Sequence, residues 1–397
     1  MRSYKSMVTV LREREPGATP EVTSVELFFD LVYVFAVTQL SLYLREHLTA
    51  RGALETLVLF LAVWWAWNYT AWATNWIDPE HSAVRLLMVT LMLISLVMSA
   101  AIPRAFGLRA IYFAAAYVGL QLLRSAFMVG AFRGARMGRN YAQLLSWSVI
   151  AGCFWIAGAL VDGDARLLLW VAAVALDYAA PLHGFALPGL GRTPTSDWTL
   201  AGGHLAERNR LVLLIAFGES ILALGATFAG LHWSARVVAA MVVGFVATVS
   251  LWWTYFVGHA ADAARTISHA ADPTHVARAG YAYAHAVMVG GIIVLAVAID
   301  LTIAHPSAPA STAAAAVTLG GPALYLVGDS LFKYAISGRT PWTRIGGALA
   351  LALLVPLALV ADRLELTAAA ALVVLALAVA QIWTGAGGAR HEVATLS

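Results

Sequence analysis

Twelve predominantly apolar stretches follow one another along the chain, separated by short polar breaks. They cover residues 25–44, 56–76, 86–102, 111–130, 141–161, 167–187, 210–230, 237–259, 279–300, 316–336, 345–361 and 366–384. Each is about the length that a helix needs to cross the hydrocarbon core of a bilayer. The pattern predicts an all-α polytopic membrane protein of about twelve transmembrane helices. Its layout is a cytoplasmic arm over 1–24, a six-helix half over 25–187 and a cytoplasmic linker over 188–209. A second six-helix half over 210–384 and a cytoplasmic tail over 385–397 complete it.

Composition sharpens this in one respect. With 61% apolar and 12% charged residues and a mean hydropathy of +0.77, the chain lies far from soluble domains, which carry roughly 25% charged residues. Twelve spans use most of 397 residues, so binding or chemistry has to sit within or at the edges of the helix bundle. The single cysteine, Cys153, excludes an intrachain disulfide or a thiolate metal site. A signal peptide would need a cleavage site after a short apolar core, and the long first run shows none.

The net charge of +3 says little, whereas its distribution sets orientation. Starting from a cytoplasmic N-terminus that carries Arg2, Lys5, Arg12 and Arg14 ahead of Pro16 and Pro20, the alternate inside segments collect seventeen of the twenty-five basic residues. These include Arg133, Arg136 and Arg139, and Arg192, Arg208 and Arg210. That bias predicts both termini on the cytoplasmic side. The Pro- and Gly-rich connection at Pro188, Gly189, Gly191 and Pro194 divides the chain near its middle. Short similarities link the halves. Trp64-Trp65-Ala66-Trp67 recurs as Trp252-Trp253-Thr254-Tyr255, His81 to Arg85 as His275 to Arg278, and Tyr117 with Arg124 as Tyr325 with Lys333. An even number of spans per half returns the chain to the same side, so the expected relation is a parallel repeat.

A charge at mid-membrane costs about 2.5 to 3.5 kcal/mol on insertion scales, so intramembrane polar residues are the functional candidates. Glu26 and Asp30 stand one helical turn apart at the head of the first span, and Tyr33 continues their stripe. Asp329 and Lys333 have the acid-first i,i+4 spacing of an ion pair along one helix. Arg124, three residues after Gln121, has no acid on its own helix, and Asp30, Asp177 and Glu219 are the expected partners. Glu219 sits in Phe217-Gly218-Glu219-Ser220-Ile221, where Ser220 can hydrogen-bond the carboxylate or its own helix. The sequence leaves Glu219 open as a neutral donor or a charged partner. Asn68 and the deep His285 complete the set of proton-relay or substrate-binding candidates. The remaining histidines, His204, His232, His259, His269, His275 and His305, fall in loops or at span ends.

No HExxH, CxxC, Walker, GxGxxG or GxSxG pattern occurs, so no metal, cofactor or ATP coupling is expected, and the basic clusters serve orientation rather than nucleic acid. The partners expected are the lipid bilayer and an unidentified small solute or lipid-soluble substrate.

Glu26-Leu27-Phe28-Phe29-Asp30-Leu31-Val32-Tyr33-Val34-Phe35-Ala36-Val37, with Phe217-Gly218-Glu219-Ser220-Ile221, resembles the bacterial low-temperature-requirement A (LtrA) family over about residues 20–385. The resemblance implies a multi-spanning membrane protein, a family named for a growth phenotype in the cold, and motif positions at Glu26, Asp30, Glu219 and Ser220. Tyr33 stands where Phe is as common. Twelve spans, an apparent repeat and titratable groups at depth point to a secondary, proton-coupled transporter or permease. The alternatives are an intramembrane enzyme acting on a lipid-soluble substrate, with Asp30 or Glu219 as general acid and the Trp-rich second span (Trp64, Trp65, Trp67, Asn68, Trp72, Trp76) lining an apolar pocket, and a structural or regulatory membrane protein.

Overall fold

The computed structural model describes residues 10–12, 21–189, 191–194, 197–198, 200–257 and 273–395, with side chains to residue 383. Arg2, Lys5, Arg14, Pro16, Pro20, His259 and His269 lie outside the described residues. Twelve helices are long and apolar enough to cross a membrane, and the described residues contain no strand, only isolated β-bridges. The described chain is all-α.

Local sequence explains where the helices begin. In α1 (Ser24–Glu46), the Thr23 hydroxyl accepts from the Glu26 backbone N–H while Glu26 receives the Thr23 N–H, a reciprocal capping box. Thr49 starts α2 (Ala50–Ala73) through a hydrogen bond from Gly52. Then come α3 (Ser82–Ala101), α4 (Ala110–Ala131), α5 (Arg136–Ala159), α6 (Gly163–Leu182) and α7 (Gly202–Ala229). After α8 (Ala235–Phe256), the ninth span combines α9 (Pro273–Ala277), a π-helical stretch (Arg278–Ala284) and α10 (His285–Ala304). The chain ends with α11 (Thr312–Ser337), α12 (Trp342–Leu353) and α13 (Arg363–Thr395). Ser311 caps the start of α11, and Gly338, at φ +65°, closes it in the left-handed conformation that glycine adopts without strain.

Two helices run beyond the apolar stretches read from the sequence. The linker expected over 188–209 stops short, because α7 already begins at Gly202. His204, Glu207, Arg208 and Asn209 lower local hydropathy and read as loop, yet His204, Arg208 and Asn209 are buried. α13 likewise runs on to Thr395, through residues expected to form the tail.

The chain divides into two compact units. One comprises residues 1–208 with 270–277, the other residues 209–269 with 278–397. In the first, α1 packs on α2 and α3, α2 on α4 and α6, and α3, α4, α5 and α6 pack in succession. In the second, α8 packs on α10, α11 and α13, α10 on α11, α11 on α12 and α13, and α12 on α13. The α10–α11 contact brings backbones together. A Cβ on Gly291 would lie 2.5 Å from the Tyr325 nitrogen, and one on Gly321 2.7 Å from the Leu295 nitrogen. Small residues at such crossings permit close van der Waals packing in lipid.

Candidate functional site

The first two turns of α1 and of α7 meet in the first unit. Glu26 and Asp30 lie one turn apart on α1, and His204 and Arg208 one turn apart on α7. His204 pairs with Glu26 and Arg208 with Asp30 at the same sequence separation of 178, so the two segments run parallel. Arg208 grips Asp30 with two hydrogen bonds, Nη2 to Oδ1 at 2.6 Å and Nε to Oδ2 at 3.1 Å. This fork matches the plane of a carboxylate in a way that lysine could not. Arg208 Nη1 reaches Glu26 Oε1 at 3.1 Å and Thr74 Oγ1 at 3.0 Å.

From α2, two turns before Thr74, the Trp67 indole donates to Asp30 Oδ1 at 2.8 Å. Glu26 Oε2 accepts from the Thr23 N–H at 2.9 Å, the Thr23 hydroxyl at 3.0 Å and Arg12 Nη2 at 3.3 Å. Arg12 arrives there because residues 10–12 pair with 76–78 through a backbone bridge at Leu11 and Ile77.

Geometry also assigns the tautomer of His204. Asn75 Oδ1 accepts from the Ala201 N–H at 2.9 Å, which orients its amide so that Nδ2 faces His204 Nδ1 at 3.3 Å. An amide nitrogen can only donate, so Nδ1 accepts and Nε2 carries the hydrogen given to Glu26 at 2.9 Å. The ring is neutral in this arrangement. Two carboxylates then face two guanidiniums, and Glu26, Asp30, His204 and Arg208 have no exposed surface. A buried charge cluster persists only when paired and hydrogen-bonded in this way.

A second polar chain crosses the same unit. Arg124 Nη2 donates to Gln121 Oε1 at 2.5 Å, Gln121 Nε2 to the Tyr117 oxygen at 3.0 Å, and the Tyr117 hydroxyl to Asp177 Oδ2 at 2.7 Å. The Trp155 indole also donates to Asp177 Oδ2 at 3.2 Å. Arg124 further contacts the Ala66 carbonyl and Thr70 hydroxyl, both at 3.4 Å, and lies 5.1 Å from the Tyr69 ring centre. Direct contact of Arg124 with a carboxylate was the expectation. The described contacts instead run to neutral groups, with Asp177 two side chains away and Asp30 already held by Arg208 and Trp67.

In the second unit, Asp329 and Lys333 form the expected i,i+4 pair at 3.2 Å. Arg344 of α12 joins them, with Nε 2.8 Å from the same oxygen, Asp329 Oδ2. Arg344 Nη2 also reaches Gln381 Oε1 at 2.5 Å and the Thr254 carbonyl at 3.3 Å. Asp329 Oδ1 is buried without a hydrogen-bond partner among the described residues. His285 Nδ1 is 2.9 Å from the Gly280 carbonyl, which can only accept, so Nδ1 carries the hydrogen. Nε2 then takes the Tyr255 hydroxyl at 2.9 Å, beside the π-helical stretch.

The remaining candidates are buried as well. Tyr33 bonds Ser95 of α3 at 3.2 Å. The oxygens Asn68 Oδ1 and Ser220 Oγ are buried without hydrogen-bond partners among the described residues, and Glu219 is buried. No group of three or more His, Cys, Asp or Glu side chains that could hold a metal ion occurs among the described residues.

Sequence reading missed Arg208, His204 and Arg344, and named Trp67 only as the lining of an apolar pocket. The one available signal was spacing, since His204 and Arg208 stand four apart, as Glu26 and Asp30 do.

Comparison with known proteins agrees with this architecture. Residues 21–379 match the family described as bacterial low temperature requirement A protein (LtrA). An uncharacterized protein of Rhizobium meliloti (strain 1021) is 36% identical over 325 residues, covering 81% of this chain and 79% of its own. No solved structure matches. A family match that spans the described helices from the Glu26 cap to α13 places the chain in the bacterial low temperature requirement A family of membrane proteins.

Proposed function

We propose that this chain is a secondary transporter that couples movement of a small solute to protons through the Glu26–Asp30–Arg208 cluster. The observation that carries this reading is the forked Asp30–Arg208 bond, wholly buried at the junction of α1 and α7. A buried pair kept only for packing can be replaced by apolar residues at little cost or with a gain in stability. A pair that switches has a reason to stay. Protonating Asp30 cancels the charge that holds the fork and turns one of its two acceptor oxygens into a hydroxyl, so Arg208 loses half of the fork and keeps Glu26 as its charged partner. Proton binding and separation of α1 from α7 are then favoured together, and that differential stability is what coupling requires.

Two further features support the reading. Five helix pairs recur between the units in the same order, with α2–α4, α2–α6, α3–α4, α4–α5 and α5–α6 answered by α8–α11, α8–α13, α10–α11, α11–α12 and α12–α13. That correspondence favours a parallel six-helix repeat, a common transporter plan. The distribution of basic residues favours cytoplasmic termini, and membership of a bacterial family favours the inner membrane.

The test is charge movement by reconstituted protein on a solid-supported membrane, challenged with amino acids, amines, carboxylates and sugars with and without a pH gradient. The expected result is a solute-dependent current that follows the gradient. Currents equal to those of empty liposomes for every solute would remove the proposal.

A further inference from the structure

The turn between α4 and α5 encloses a cleft of about 680 Å³ with Arg133, Arg136 and Arg139 around it and no acidic lining residue. Glycine fixes its shape. Gly134 has φ +81°, and a Cβ on Gly138 would lie 2.3 Å from the Phe132 carbonyl, so a side chain at either position would strain the turn. The three guanidiniums are not equivalent. Arg136 pairs with Asp197 at 3.0 Å, whereas Arg133 and Arg139 are exposed and their side chains have no ion pair or hydrogen bond among the described residues. α5 opens at Ala135 without a side-chain cap, which adds the positive end of a helix to the same place. The wall opposite is apolar, formed by Ala126, Val129 and Phe132.

Two uncommitted arginines in a concave turn call for an anion with several oxygen acceptors. The apolar wall, at the end of a candidate membrane span, calls for a ligand that is also greasy. We propose that this cleft binds a phosphate-bearing anion, presented by the headgroup of an anionic phospholipid. The site is separate from the Glu26–Asp30–Arg208 cluster and stands whether or not the chain transports a solute. Basic clusters beside membrane spans are drawn to anionic lipid, and the cleft gives this attraction a defined seat.

Native mass spectrometry of the full chain, taken from mixed vesicles of phosphatidylglycerol and phosphatidylcholine in equal amounts, tests the proposal. Wild type should retain phosphatidylglycerol about tenfold over phosphatidylcholine, and Arg133→Gln/Arg139→Gln should bring the two close to parity, as loss of two such attractions implies. Arg339→Gln, which removes an exposed arginine from the α11–α12 turn, should leave the preference intact. A second arm adds inorganic phosphate to the lipid-free protein in detergent. Weak or absent binding, with phosphatidylglycerol retained, supports the lipid assignment. Tight phosphate binding without lipid preference overturns it in favour of a free-anion site. Equal loss of preference in the double variant and in Arg339→Gln, or no preference in wild type, also overturns it.

Discussion

The two units handle buried charge in opposite ways. In the first, Glu26 and Asp30 share Arg208 and Arg12, both oxygens of each carboxylate accept hydrogen bonds, and charge balances without His204. In the second, Lys333 and Arg344 converge on one oxygen of Asp329, leaving two cations to one acid and the other oxygen without a partner among the described residues. The same carbonyl of the recurring tryptophan motif receives a buried arginine in each unit, Ala66 from Arg124 and Thr254 from Arg344, but from different helices. A balanced cluster has no spare partner, so removing one member strands the others. An unbalanced one tolerates losing a cation. The second unit adds rigidity by another route, the glycine-mediated closeness of α10 and α11.

This contrast orders the expected effects of substitution. Arg208→Met should be the most damaging, at about 3–5 kcal/mol, because two carboxylates lose their main counter-charge. Combining it with Glu26→Gln and Asp30→Asn should recover part of that loss in detergent unfolding titrations, and no recovery would break the charge-balance account. Trp67→Phe keeps the ring but removes a charge-assisted hydrogen bond to Asp30, an expected loss of about 1.5–3 kcal/mol by the same titration. Gly291→Ala should cost about 1–3 kcal/mol in thermal unfolding, since the added methyl meets the Tyr325 backbone rather than a movable side chain. Lys333→Met should change stability least, by less than about 1 kcal/mol, because its side chain reaches the surface and Arg344 remains on Asp329. A loss at Lys333 as large as that at Arg208 would erase the difference between the units.

Span number, helix class and family were legible in the sequence because they rest on local hydropathy and a contiguous motif. The Asp329–Lys333 pair was legible for a similar reason, as its spacing lies within one helix. Arg344, the third member, comes from another helix, and no local period encodes it. Arg208 was hidden more deeply. Its charged neighbours lower the hydropathy that would mark a span, and only the carboxylates of α1 make its burial tolerable, so it read as a loop arginine. The connection from Arg124 to Asp177 runs through Gln121 and Tyr117, and a search for direct ion pairs passes over neutral intermediates.

The most direct test of the central claim is solute flux through reconstituted Asp30→Asn protein, read as counterflow exchange and as accumulation driven by a pH gradient. If Asp30 couples protons to transport, the variant keeps exchange, which also reports that it is folded, and loses gradient-driven accumulation. Accumulation by Asp30→Asn at the wild-type level would contradict the account.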